Sequence, residues 1–456
     1  MKKIIKIVFI AILWFSFLGN TTVLAQLKVE VINISGNYKT KKNIILRELK
    51  FAENDVIEES NIKKLIEDSK RNLLLTGLFN IVEIECKNNG TALKFDVIVQ
   101  ERWYLWLYPI LEVADRNFDT YFFNKQWDRI NYGLSLEKHN FRGRNELLHI
   151  KIRLGYKEQY SIYYNIPYVD LNKKHGLWFG IDYFRQKEMA YNIENYLYNY
   201  FNSDNYIYQN GFAQAGYQYR ISYNLWIKAR FSFNSFNVSD TILSLNPAYL
   251  ENSPDLIAGT FALKLQFDNS DNKVYPVKGI KSYILIEQTQ GFDKDFKQLL
   301  NIRYNFQIHN QYAYRQFFSL ESEINYLDAG YDKIPFPLYQ PLGYEQYLRG
   351  FDNYVFNPDL YAFVKTSIKY EFLPYKETTL PLISLTQFNK FHYRGFISAF
   401  LDFGYISEYG NALSAGLGMD IVFYYDRVFS TYIAWNNLNK KIGIFVQYKT
   451  PLIKQF

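Results

Sequence analysis

The side chains most able to do chemistry are an arginine and two carboxylates in the C-terminal third of the chain. Arg349 stands in Leu348-Arg349-Gly350-Phe351, Asp402 stands in Phe400-Leu401-Asp402-Phe403-Gly404, and Glu371 lies between them. Two carboxylates in one site can work as general acid and base. They can equally neutralise a guanidinium group, which carboxylates bind in a fork-like geometry. We favour the second interpretation, in which the arginine of a loop is held by acidic partners.

No other reactive constellation is present in the sequence. The five histidines do not show the spacing of metal ligands: His139, His149, His175, His309 and His392. No phosphate-binding glycine loop, nucleophile elbow or metal signature occurs. The single cysteine, Cys86, excludes an intrachain disulfide framework and a cysteine-rich metal site. We therefore expect no enzyme, no catalytic residue, no cofactor and no metal.

The N-terminus has the pattern of an export signal. Lys2, Lys3 and Lys6 precede an apolar run over 7–18, which is followed by Val23-Leu24-Ala25. A basic start, a short apolar run and small residues predict a signal peptide over 1–25. An uncleaved anchor stays open as the alternative, although the run is too short to span a bilayer comfortably. No later apolar stretch is long enough for a transmembrane helix.

Residues 26–101 predict a small α+β domain. A strand over 29–34 precedes two helical patterns, 40–50 and 59–76, and two further strands, 80–86 and 93–100, flank Asn88-Asn89-Gly90. That tripeptide is a hairpin signal. The order β-α-α-β-β predicts a sheet with two helices on one face. Cys86 is expected to be a small apolar residue of this sheet.

In residues 102–456, apolar and polar residues alternate with a period of two. Leu148, Ile150 and Ile152 alternate with polar residues, and the same pattern recurs in many segments of about ten residues. The chain holds 42 Tyr and 38 Phe, more than a soluble core needs but typical of the aromatic girdles of membrane barrels. We predict a transmembrane β-barrel of about 16 strands. Stretches without alternation, 192–210, 243–255 and 329–355, should be loops. The net charge of +7, without a basic cluster, argues against nucleic acid.

The chain resembles the BamA/TamA-type outer-membrane assembly factor superfamily, which joins POTRA domains to a surface-antigen barrel. The likeness covers 26–101 as one POTRA domain and 102–456 as the barrel. Its motifs are the two that open this section, together with Asn140-Phe141-Arg142-Gly143 and the segment from Phe267-Asp268 to Glu287. The resemblance implies the outer membrane of a Gram-negative bacterium, with the POTRA domain in the periplasm. Because the POTRA domain is predicted to begin almost at the cleavage site, we expect neither a second POTRA domain nor a plug helix.

The resemblance also implies three functional regions. In a lumen loop lock, a long loop folds into the barrel, where Arg349 meets inward-facing Glu371 and Asp402. The whole set is Arg349, Gly350, Phe351, Glu371, Asp402 and Gly404. Client strands would add to the POTRA sheet along Asn80, Val82, Ile84 and Cys86. A weak barrel seam would join the first strand, predicted over 103–112, to the last, predicted over 441–449. The residues of this seam are Trp103, Leu105, Gly443, Val446 and Tyr448.

The function implied is assembly or insertion of outer-membrane proteins without nucleotide. The expected partners are the outer-membrane bilayer, unfolded β-barrel or secreted polypeptide clients, and periplasmic assembly proteins. Two alternatives stay open, namely a polypeptide-secretion pore of the same superfamily and a passive porin.

Overall fold

The computed structural model of the chain describes residues 26–449 except 91, 114–129, 171, 293–295, 331–332, 344–345, 382–387, 389 and 425. The predicted signal peptide over 1–25 lies outside the described residues. Within those residues, no helix is long and apolar enough to cross a bilayer.

The N-terminal domain is an α+β unit, as predicted. Its elements are β1 (Gln26–Ser35), α1 (Lys42–Glu48), β2 (Val56–Glu58), α2 (Ile62–Leu75), β3 (Phe79–Asn88) and β4 (Ala92–Glu101). The sheet order is β2-β1-β4-β3, with β1 and β4 parallel and the other pairs antiparallel. Three-residue β2 is absent from the sequence prediction because so short a strand leaves no measurable alternation.

One apolar core holds the helices against this sheet. Ile45 of α1 and Leu73 of α2 are fully buried together with Val29, Phe95 and other strand residues. Cys86 packs against the same core, as predicted for a small apolar residue. Burial raises the pKa of its thiol, which keeps the group protonated and poorly nucleophilic.

Most of the described residues after 104 form one antiparallel sheet of 16 strands, which confirms the predicted strand number. The strands are β5 (Leu105–Val113), β6 (Ile130–Phe141), β7 (Glu146–Gly155), β8 (Lys157–Ile166), β9 (His175–Gln186), β12 (Tyr208–Ser222), β13 (Leu225–Val238), β14 (Asp255–Asp268), β15 (Gly279–Gly291), β16 (Gln298–Ala313), β17 (Gln316–Asp328), β18 (Leu360–Thr379), β19 (Lys390–Ile406), β20 (Gly410–Phe423), β21 (Arg427–Asn436) and β22 (Ile442–Lys449). Each pairs with its neighbours in chain order, and β9 pairs with β12 across a separate hairpin.

Alternating exposure shows that this sheet is a barrel wall with an apolar outside. In β19, Ile397, Leu401 and Phe403 are 48%, 54% and 50% exposed, whereas Asp402 is fully buried and Phe400 is 6% exposed. Apolar side chains face outward because lipid is their solvent, while the polar ones turn to the lumen. This is the orientation that the period of two predicts.

The barrel end opposite the N-terminal domain carries secondary structure where the sequence predicts loops. Residues 192–210 include most of a hairpin formed by β10 (Glu188–Glu194) and β11 (Leu197–Asn202), and 243–255 overlap α3 (Asp240–Leu245) and a 3-10 turn over Pro247–Leu250. These elements share a buried apolar cluster that includes Ile242 and Leu250. The prediction missed them because their stabilising contacts are made to each other across the barrel mouth.

Candidate functional site

The lumen loop, residues 329–359 between β17 and β18, brings Arg349 to the barrel wall at Asp402. Arg349 Nε lies 2.8 Å from Asp402 Oδ2, and Nη2 donates to Oδ1 of the same carboxylate. The Arg349 backbone N–H also donates to Oδ2 at 3.2 Å. Asp402 is fully buried, so the carboxylate depends on these donors in place of water. The pair is a fork-to-fork contact of the kind that fixes direction as well as distance.

Three wall residues complete the arginine's surroundings. Nη1 donates to Ser367 Oγ at 2.8 Å, and Nη2 also donates to the Thr366 carbonyl at 2.9 Å. The guanidinium carbon lies 4.0 Å from the centroid of the Phe400 ring, which adds a cation–π contact. β18 and β19 therefore enclose the guanidinium group between them.

The small residues near Arg349 allow the close approach of loop and wall. Gly350 has a φ of +87°, and an added Cβ would lie 3.1 Å from Ala434 Cβ. At Gly404 an added Cβ would lie 2.7 Å from Leu348 Cδ1. Phe351 is buried in a cluster with wall residues such as Tyr361. The structure thus puts Gly350, Phe351 and Gly404 around the Arg349–Asp402 pair.

Glu371 does not contact Arg349, contrary to the prediction. It pairs instead with Arg394, whose Nε lies 3.0 Å from Glu371 Oε1. In the strand register, Asp402 stands opposite Lys365, six residues before Glu371. At about 3.3 Å per residue this separates the two carboxylates by roughly 20 Å along the wall. Side-chain parity correctly predicted that Glu371 faces the lumen, but parity does not give the depth at which the loop arrives. The same separation argues against a shared acid–base role.

A second polar cluster anchors the start of the lumen loop. Gln340 Nε2 donates to Glu287 Oε2 at 3.1 Å. Glu287 also accepts from Arg230 at 2.6 Å and from Asn301 at 2.8 Å. The loop is therefore fixed to β15 near its start and to β19 near Arg349.

The two ends of the 16-stranded sheet are β5 and β22, and no strand ladder joins them within the described residues. Leu105 begins β5 and is 42% exposed, while Val446 and Tyr448 of β22 are 63% and 53% exposed. Gly443 is on the opposite, lumen-facing side of β22. These four predicted seam residues lie at the sheet edges.

Trp103, the remaining predicted seam residue, does not belong to the first barrel strand, contrary to the prediction. It precedes β5 and lies in the linker, with its ring 5.6 Å from that of Phe388. The strand begins later than expected because neighbouring Tyr104 belongs to the N-terminal core, where its hydroxyl donates to the Leu78 carbonyl at 2.8 Å. Arg102 in the same linker pairs with Asp426 of the β20–β21 turn at 3.1 Å.

β3 of the N-terminal domain is an edge strand with the predicted client-binding residues on it. Among the described residues it pairs only with β4. Val82 is fully buried in the domain core, and Ile84 and Cys86 pack against that core. Asn80 is half-buried. The side chains of Val82, Ile84 and Cys86 therefore hold the strand against the domain core.

The N-terminal domain is docked on the barrel through α1. The sequence predicted this helix but not its contact with the barrel. Glu48 is 3% exposed and accepts from both terminal nitrogens of Arg220, at 3.1 and 3.2 Å. The Tyr223 hydroxyl donates to the Arg47 and Leu49 carbonyls at 3.1 and 2.9 Å, and so caps the end of the helix. The Arg47 guanidinium carbon lies 3.3 Å from the centroid of the Tyr168 ring.

A metal centre is not found among the described residues, since no group of three or more His, Cys, Asp or Glu side chains could hold an ion. The site is built from ion pairs, hydrogen bonds and packing, and it joins a lumen loop, a sheet with two free edges and a docked N-terminal domain.

Comparison with known proteins accounts for this combination. Residues 27–102 match the POTRA family described as a surface antigen variable number repeat, and residues 140–453 match the Omp85 superfamily domain. The outer membrane protein assembly factor BamA of Neorickettsia risticii is 41% identical over 76 residues. That match covers 16% of this chain and 10% of the relative, so the chain aligns with only about a tenth of that protein's length.

Solved structures share the fold at low sequence identity. BamA from Haemophilus ducreyi, lacking POTRA domains 1–3, superposes with a TM-score of 0.50 at 14% identity over 92% of this chain and 84% of that one. CdiB from Acinetobacter baumannii superposes with a TM-score of 0.51 at 10% identity over 93% and 73%. The Omp85 match alone spans more than half of the sequence. The chain belongs to the Omp85 superfamily, with a POTRA domain over 27–102 before a barrel in which the described residues form 16 strands.

Proposed function

We propose that this protein is an assembly factor that inserts client β-strands into the outer membrane without nucleotide. The observation that carries the proposal is the pair of sheet edges, β5 and β22, which no ladder joins in the described part of the chain. Unpaired backbone groups in lipid are costly, so such an edge favours pairing with an incoming strand. A client strand would form hydrogen bonds with these backbone groups at the seam. It would be released once the client's own barrel has folded.

The POTRA domain would deliver clients to that seam. β3 offers an edge on which an extended segment can add by backbone hydrogen bonds. Glu83 and Glu85 are exposed on this strand, and charges on an edge strand discourage permanent aggregation. Binding there would be weak and reversible, as a delivery step requires. The relative from Neorickettsia risticii is named an assembly factor, which supports this direction.

The location and partners follow from the same proposal. The barrel would sit in the outer membrane of a Gram-negative bacterium, with the POTRA domain in the periplasm. Its partners would be the bilayer, unfolded β-barrel or secreted polypeptides, and periplasmic assembly proteins. The ion pairs described above satisfy Asp402 and Glu371, which supports a mechanical role for these carboxylates over a catalytic one.

The buried lumen loop argues against a passive porin. Leu342, Leu348 and Phe351 are each 2% exposed or less, in one cluster with wall residues. A loop packed in this way fills space that an open pore would need. A secretion pore of the same superfamily is the rival that a functional experiment must separate.

Reconstitution into lipid vesicles tests the proposal. Unfolded β-barrel client is added without nucleotide, and its folding is followed by heat-modifiable gel mobility. We expect faster client folding than in vesicles that hold an equal amount of an unrelated 16-stranded porin. Equal folding rates in both kinds of vesicle, combined with ion conductance or with passage of a polypeptide into the vesicle interior, would contradict the assembly function and favour a pore.

A further inference from the structure

The lumen loop makes direct contact with the last strand of the barrel. The Tyr347 hydroxyl donates to Gln447 Oε1, and Gln447 Nε2 donates to Asp352 Oδ1 at 2.8 Å. The same Nε2 lies 3.0 Å from the Tyr432 hydroxyl, which itself donates to Asp352. Both ends of the Gln447 amide are therefore satisfied, one by Tyr347 and the other by Asp352 and Tyr432.

Gln447 provides the polar contacts that can hold β22, the last strand, in position. Within the described residues, β22 pairs with β21 on one side only. Its outer face, which includes Ile444 and Val446, meets lipid and holds no polar group before Tyr448. On its lumen face, Phe445 stacks on Tyr432 with ring centroids 5.2 Å apart, and Gln447 makes the polar contacts. The loop thus supplies specific contacts to a strand that has a neighbour on one edge.

The contact with Gln447 is continuous with the Arg349–Asp402 pair. Asp352 Oδ2 accepts the Gly350 N–H at 2.9 Å, and Asn436 Nδ2 donates to the Gly350 carbonyl at 2.7 Å. Arg349, the preceding residue, is fixed to Asp402. A loop segment of six residues, 347–352, therefore bridges β19, β21 and β22. A displacement at Arg349 would move the groups that hold Gln447.

We propose that Tyr347 and Asp352 form a latch on Gln447, so that the lumen loop holds the last strand in place until the loop leaves the wall. The latch deepens the proposed assembly function and rests on it for its purpose. With the loop docked, β22 is held against β21. With the loop displaced, β22 loses its two polar contacts with the loop, to Tyr347 and Asp352, and can swing at the seam to accept a client strand.

Hydrogen–deuterium exchange of the protein in nanodiscs tests the latch without any client. Tyr347→Phe removes one hydroxyl and keeps the ring, and Gln447→Met removes all three contacts at similar length. From the usual net strength of a hydrogen bond, we expect exchange over 442–449 to become about twofold to tenfold faster in Tyr347→Phe. The increase should be larger in Gln447→Met. Arg349→Ala should also accelerate it, because the loop is then released.

Ile444→Val is the matched control, since it removes one methyl group from the lipid-facing side of the same strand, at a position outside the predicted seam residues. It should leave exchange unchanged. Heat-modifiable mobility identifies the variants that keep a folded barrel. Unchanged exchange over 442–449 in folded Tyr347→Phe and Gln447→Met would overturn the latch. So would an effect that Ile444→Val reproduces.

The exchange experiment separates the latch from the assembly function. Accelerated exchange in the latch variants together with no effect of the protein on client folding keeps the latch and rejects the assembly function. Unchanged exchange together with accelerated client folding rejects the latch and keeps the assembly function.

Discussion

Arg349→Ala should destabilise the barrel by about 3–5 kcal/mol, because it leaves a fully buried carboxylate at Asp402 without its counterion. Water that enters the lumen would reduce this value. Asp402→Ala should have a comparable effect, since Arg349 then keeps only Ser367, Thr366 and the Phe400 ring. The double variant should be little worse than either single one, because the two side chains act as one unit. Urea unfolding in detergent and heat-modifiable mobility measure the change.

The controls for this pair come from the same barrel. Lys333→Ala removes an exposed cation from the lumen loop and should behave as wild type. Arg349→Lys keeps the charge but loses the fork geometry, so it should fall between wild type and Arg349→Ala. Two single variants that match wild type in stability and in outer-membrane protein levels would mean that the loop is not held through this pair. Fully additive effects would mean that the residues act separately.

Glu48→Ala should release the POTRA domain from the barrel while leaving the barrel itself folded. The substitution leaves Arg220, whose side chain is 16% exposed, without its carboxylate partner. Truncating one member of a buried, hydrogen-bonded charge pair weakens an interface by about 2–5 kcal/mol. Limited proteolysis at the linker over 102–104 should become faster, and spin labels on the two domains should report a broader distance distribution.

Arg71→Ala provides the comparison for Glu48→Ala. Arg71 pairs with Asp68 on the domain surface, where the two side chains are 43% and 25% exposed. Such exposed pairs contribute about 1 kcal/mol or less, so proteolysis and domain distances should stay at the wild-type values. A narrow distance distribution in Glu48→Ala would show that the remaining contacts suffice, and the importance given to α1 would be wrong.

Sequence periodicity predicted the elements whose stability is local or set by lipid. The length of the segment predicted the strand number. The period of two predicted the side of the wall that Asp402, Glu371 and Gly443 face, because every barrel strand must separate lipid from lumen. The helices of the POTRA domain were predicted to begin two and three residues too early, since α1 begins at Lys42 and α2 at Ile62. The three-residue β2 left no pattern to detect.

The contacts missed are those between residues far apart in the chain. Gln447 and Asp352 are 95 positions apart, and Glu48 and Arg220 are 172 apart. No spacing rule links such residues, although the parity of β22 puts Gln447 on the lumen face with Gly443. Glu371 was assigned to Arg349 for the same reason, because the depth of a loop in a lumen depends on the whole loop. Trp103 was wrongly assigned to the first barrel strand, because the neighbouring Tyr104 packs in the POTRA core.

The most direct test of strand capture at the seam is site-specific photo-cross-linking to an unfolded β-barrel client. One photoreactive residue replaces Val446 on β22, and another replaces Ile181 on β9. The two sites are 63% and 66% exposed to the outside, but β9 has paired neighbours on both sides. We predict client adducts at position 446 that exceed those at 181 and that disappear once the client has folded. Equal adduct yields at the two positions would contradict client capture at the seam.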